Sequence, residues 1–140
     1  MKVEIYTETS NALTTTKNGK YIALIVVPTN KGPATKAVLG EEKDTTANRM
    51  ALLAILNGLE ELTMKCEVTV YTPNSFVYNM IRQGNVEKWK REEWRRPQNK
   101  ELKNKELWKR LDEDLQKQAV TVVHTRENGY TKQMKKWLEG

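Results

Sequence analysis

Residues that ligate soft metals or form covalent cross-links are almost missing from this sequence: it has one cysteine, Cys66, and one histidine, His124. A lone cysteine excludes an intrachain disulfide and suits a reducing compartment, so a cytoplasmic protein is expected. One cysteine with one histidine also excludes a Cys/His zinc site of the usual ligand count. No apolar run approaches the roughly 18 residues that cross a bilayer, so no membrane partner is expected. The opening MKVEIYTETS alternates like a strand and lacks the apolar centre of a signal peptide. No linker, internal repeat or low-complexity tract interrupts the chain, and residues 1–140 are expected to form a single domain with a proper core.

What is present in excess is positive charge. The formal net charge is +6 and the pI is about 9.4, which favours polyanionic partners moderately. Placement matters more than the total. Between Arg82 and Arg110 lie Lys88, Lys90, Arg91, Arg95, Arg96, Lys100, Lys103, Lys105 and Lys109, with Trp89, Trp94 and Trp108 among them. Cations beside flat aromatic faces suit phosphate contact with stacking. The same pattern also describes a solvated helical face whose tryptophans turn to the core.

Val3 and Ile5 alternate with polar residues, giving a strand over 2–8. Asn18-Gly19 is a hairpin signal. It leads into the apolar, β-branched run Tyr21–Val27 of an inner strand. Pro28, Asn30, Gly32 and Pro33 mark a turn before a third strand at 34–39. Met50, Leu53, Leu56, Leu59 and Leu62 form the apolar stripe of a long helix after Thr45-Thr46. Val68 and Val70 mark a fourth strand, and Pro73 suits the first turn of a helix over 74–83. A cationic segment over 85–96 ends at Pro97. A helix over about 101–117 turns Leu107, Leu111 and Leu115 to one side. Val120 and Val122 make a fifth strand, and a last helix carries Met134, Trp137 and Leu138. This order predicts an α/β fold with a five-stranded mixed sheet: strands one to three antiparallel, four and five added through helices, and helices on both faces.

The order of elements and three local strings resemble the ribonuclease H type I family over nearly the whole chain. Thr46-Ala47-Asn48-Arg49-Met50 resembles the family's Thr-Asn-Asn-Arg-Met at the start of its first helix. Leu102-Lys103-Asn104-Lys105-Glu106-Leu107-Trp108 is similar to its Val-Lys-Asn-x-Asp-Leu-Trp. Val3-Glu4-Ile5-Tyr6-Thr7 matches the opening strand. The resemblance implies an RNase H-like fold and cleavage of the RNA strand of RNA–DNA hybrids with two divalent metals held by four acids.

Those acids are poorly kept. The first position falls on Glu8, which keeps the charge on a longer arm. The second falls on Ala51, the third on Pro73 with the neutral Asn74 beside it, and the fourth on Lys135. The family's loop histidine has no counterpart, because His124 falls within the last strand. Four potential anions become one and a cation is added, so the expectation is no catalytic residue, no metal and no cofactor. Lys135 is expected to fill part of the vacated space and pair with Glu8. Bland readings stand beside these: Glu8 as a polar strand end, Lys135 on a solvent face, Pro73 as a helix start.

Some binding positions match better. Thr46 and Asn104 fall on positions that hold a phosphate of the DNA strand, and Asn48 on one that reaches the minor groove. Thr46 is equally a good helix N-cap. Ala47 and Asp44 depart from the pattern and thin the phosphate pocket. The basic segment carries Lys88, Lys90, Arg91, Trp94, Arg95 and Arg96 where many members hold a cationic substrate-binding extension. The expectation is a non-catalytic RNase H-fold protein that binds nucleic acid, either RNA–DNA hybrid or another duplex. One alternative is an active magnesium-dependent nuclease with rearranged ligands, Glu8 with Glu127 and Asn74. The other is a protein-interaction module on the same scaffold, with a protein partner.

Overall fold

The computed structural model describes residues 1–10, 15–95 and 101–140. Alternation places Val3 and Ile5 on one side of β1 (Lys2–Thr9). β1 pairs antiparallel with β2 (Thr16–Val27), and β2 pairs antiparallel with β3 (Ala34–Thr45). On the other side of β1, β4 (Glu67–Thr72) runs parallel, followed by β5 (Ala119–His124), giving the order β3-β2-β1-β4-β5. This is the expected mixed sheet. α1 (Ala47–Glu60) links β3 to β4. α2 (Ser75–Arg82), α3 (Asn85–Arg91) and α4 (Lys105–Lys117) lie between β4 and β5, and α5 (Thr131–Glu139) ends the chain.

β2 is buried on both faces, as its unbroken apolar run requires. Ala23 and Ile25 join the main core beneath α1 and α4. Ile22, Leu24 and Val26 pack on the opposite face against Met134 and Leu138 of α5. The stripe Met50, Leu53, Leu56 and Leu59 is buried, but so are Ala51, Leu52, Ala54 and Ile55. α1 is covered nearly all round because the sheet lies on one side and Leu107, Trp108 and Leu111 of α4 on the other. No helix among the described residues is long and apolar enough to cross a membrane.

The structure departs from expectation at several boundaries. Asn18-Gly19 is no turn: it sits inside β2, facing Lys43 and Glu42 of β3. Gly19 is needed there for close approach, since a Cβ would fall 2.0 Å from Met50 Sδ and 2.5 Å from Thr45 Cγ2. β3 runs to Thr45 instead of ending at 39. It is a largely exposed edge strand, so no apolar alternation marks its second half. Pro73 precedes the N-cap Asn74 and so stands just before the helix, not in its first turn. α4 begins only at Lys105, after Asn104 adopts φ 60°. Leu115 is half-buried, and Trp137 is 41% exposed because Met134 and Leu138 define the inward side of α5. Leu62 lies past the end of α1. The proposed stop at Pro97 falls outside the described residues, as does Arg96.

Candidate nucleic-acid interface

The end of β1, the start of β2, the N-terminus of α1, the β4–α2 turn, α3, the approach to α4, and α5 converge on one groove of about 1470 Å³. It brings together Glu8, Thr46, Asn48, Pro73, Asn74, Lys88, Arg95, Asn104 and Lys135 from the positions read in the sequence. Ala51 is not in its lining but is 3% exposed in the core.

Glu8 is buried at 7% exposure, and its Oε1 accepts the Thr9 N–H at 3.1 Å. Burial pushes its pKa above the ordinary carboxylate value, opposed by the Thr9 hydrogen bond and the charge of Lys135. The expected Glu8–Lys135 pair is not a contact: among the described residues no ion pair within 4.0 Å joins them. With Met134 and Leu138 holding α5 to the sheet, Lys135 stays exposed on the groove wall and acts on Glu8 through longer-range attraction. The alternative ligand set is not assembled either. Glu127 is exposed and outside the lining, and Asn74 Oδ1 is occupied as the acceptor for Val77 N–H at 2.8 Å.

Thr46 serves as N-cap and groove wall at once. Its Oγ1 accepts Arg49 N–H at 3.1 Å, leaving the hydroxyl proton to donate. Asn74 Nδ2 donates to Asn48 Oδ1 at 3.0 Å. Asn104 Oδ1 accepts from Arg49 Nη1 at 3.2 Å. Arg49 lies within the Thr46–Met50 string and carries no binding signal of its own in the sequence. It is the hub of this wall, with Nε 2.6 Å from Glu42 and Nη1 2.5 Å from Glu106. Those carboxylates raise the Arg49 pKa further, and Arg49 holds Glu106 below the ordinary carboxylate value.

The basic segment divides. Lys88 and Arg95 line the groove, whereas Lys90, Arg91 and Trp94 do not. Lys90 pairs with Asp112 at 3.3 Å, Arg91 faces solvent, and Trp94 is half-buried against the core. Trp89 stands edge-on to Trp108, with centroids 5.0 Å apart, and still reaches the groove. The structure adds Lys20 and Lys103 to the lining, and Phe76, 48% exposed, at its lip. Lys20 had no signal, being one lysine in a strand. The lining thus carries five cations (Lys20, Lys88, Arg95, Lys103, Lys135) against three carboxylates (Glu8, Glu92, Glu139).

A family model described as RNase H matches residues 1–127. The chain belongs to the RNase H family. Ribonuclease H of Acetivibrio thermocellus is 40% identical over 77 residues, covering 55% of this chain and 52% of that protein. Ribonuclease H of Thermoanaerobacter pseudethanolicus is 34% identical over 111 residues, covering 79% and 68%. The chain therefore matches about half to two thirds of these relatives' lengths. The crystal structure of LC9-RNase H1, a type 1 RNase H with the type 2 active-site motif, superposes with a TM-score of 0.77 at 19% identity. That alignment covers 99% of this chain and 68% of the other. A foamy viral protease-reverse transcriptase in complex with RNA/DNA hybrid superposes with a TM-score of 0.71 at 13% identity, over 98% of this chain and 18% of the other. At these identities the likeness is one of fold.

The RNase H resemblance implies a pair of divalent cations, and the donor set here does not fit them. Magnesium takes oxygen ligands, and two dications about 4 Å apart repel by about 4 kcal/mol even in bulk water. Only converging carboxylates offset that. Glu8 is the sole carboxylate among the four positions carried over for the acids, with Ala51, Pro73 and Lys135 at the others. Among the described residues no three His, Cys, Asp or Glu side chains gather as a metal-holding group.

Proposed function

We propose that this RNase H chain uses the groove to hold a nucleic-acid duplex, RNA–DNA hybrid foremost, without hydrolysing it. One observation carries the reading: cations and neutral donors line the groove where a metal-dependent nuclease needs converging acids. Lys20, Lys88, Arg95, Lys103 and Lys135 supply phosphate contacts and counterion release. Thr46, Asn48 and Asn104 supply neutral donors that fix register without adding charge. The solved complex of a fold neighbour with RNA/DNA hybrid favours that ligand class.

The curated relatives are named ribonuclease H, which favours cleavage as the second reading. Incubating labelled hybrid with the protein and magnesium or manganese separates the two. The expected outcome is a retained, full-length hybrid at low salt. Cleavage that disappears in Glu8→Ala overturns the reading, and absence of any retained complex shifts the account to a protein-interaction scaffold.

A further inference from the structure

The orientation of two asparagines in the groove follows from their partners. An asparagine amide fits its space almost equally well either way round, and only hydrogen bonding settles which end is which. Val77 N–H is a donor, so the Asn74 atom 2.8 Å from it is the carbonyl oxygen. That turns Asn74 Nδ2 toward Asn48 at 3.0 Å, and a donor there requires the oxygen of Asn48 in return. A guanidinium has donors only, so the Asn104 atom 3.2 Å from Arg49 is likewise the oxygen. Arg49 is itself held from β3 by Glu42 and from α4 by Glu106. Among the described residues neither Asn48 Nδ2 nor Asn104 Nδ2 has a partner, and both side chains line the groove.

We infer that Asn74 and Arg49 are positioning residues that lock the Asn48 and Asn104 amides with their NH₂ groups available to the groove, which therefore reads hydrogen-bond acceptors on the bound strand. The inference rests on the duplex-binding reading above and deepens it. Asn74 stands beside the position where the family pattern has an acid, and its oxygen caps α2 while its nitrogen sets the groove's polarity. Because the donors are neutral, they add affinity without releasing counterions. Disturbing them lowers affinity at an unchanged salt slope, whereas removing a groove lysine changes the slope.

Asn74→Ser is the test variant, since serine keeps an acceptor that can cap Val77 N–H and removes the Nδ2 amide that reaches Asn48 Oδ1. The expected result for a fluorescently labelled hybrid is a five- to tenfold loss of affinity, about one neutral hydrogen bond, with melting temperature and salt slope retained. In an Asn48→Ala background the same substitution is expected to cost nothing more, because its effect passes through Asn48. Arg49→Met, measured alone and in an Asn104→Ala background, repeats the cycle for the second amide. Unchanged affinity in Asn74→Ser, or an equal loss in both backgrounds, overturns the inference while duplex binding stands. Failure of the unmodified protein to hold hybrid sinks both.

Discussion

Affinity for an RNA–DNA hybrid is expected to fall about 150-fold between about 50 and about 200 mM salt. Five cationic side chains line the groove, and Glu8, Glu92 and Glu139 offset part of them. If about four phosphates are neutralised on binding, the slope of log affinity against log salt is about −3.6, which gives that loss. Lys88→Ala and Lys103→Ala are each expected to shrink the slope by about one and to weaken all duplexes alike, as phosphate contacts do. Equilibrium titrations at four or five salt concentrations measure both quantities. A slope near zero contradicts phosphate binding.

Stability is expected to fall as pH rises from about 4 to about 7 because of Asp114. This α4 carboxyl is 5% exposed, and its Oδ2 has no hydrogen-bond partner. Burial is the main cause that pushes its pKa from 3.8 up to about 7; the nearby Glu60 carboxylate adds to it, and Lys117 and Arg110 oppose it. Glu60 is meanwhile bonded by Arg110 at 2.6 and 3.3 Å. A carboxyl whose folded pKa lies above its unfolded value binds more protons when folded. Its contribution is complete below about pH 4 and is lost as pH climbs through about 7. Asn in place of Asp114 matches its size and removes the buried charge. Asp114→Asn is therefore expected to be more stable than the parent at pH 8 and to flatten the pH profile, as urea denaturation across pH reads directly. A parent profile without this fall contradicts the assignment.

Asp114 also illustrates how far the sequence was legible. Leu107, Leu111 and Asp114 follow one another at helical spacing and form the inward face of α4, but a buried aspartate adds nothing to an apolar stripe, and the sequence pattern favours Leu115, which is only half-buried. Strand alternation in β1, the apolar run of β2 and the Met50–Leu59 stripe gave the core because each is a local pattern. The second half of β3 was not legible: an exposed edge strand has no buried face to imprint on its sequence. Asn18-Gly19 misled because a turn-forming pair is also what a strand uses where another element approaches closely.

The site behaved similarly. Thr46, Asn48 and Asn104 were found through local strings, and the groove does join them. Arg49 was not legible because its role depends on Glu42, Asn104 and Glu106, which only the fold assembles. The basic segment looked uniform in sequence, but the α3 surface sends Lys88 to the groove and Lys90 to Asp112. Helical rotation separates neighbours that composition groups together.

Manganese titration by calorimetry, on the protein alone and then with bound hybrid, tests the electrostatic core of the account. Glu8, without a second acid at the carried-over positions, is predicted to give no saturable uptake of two ions in either state. Two-ion binding that vanishes in Glu8→Ala would contradict it.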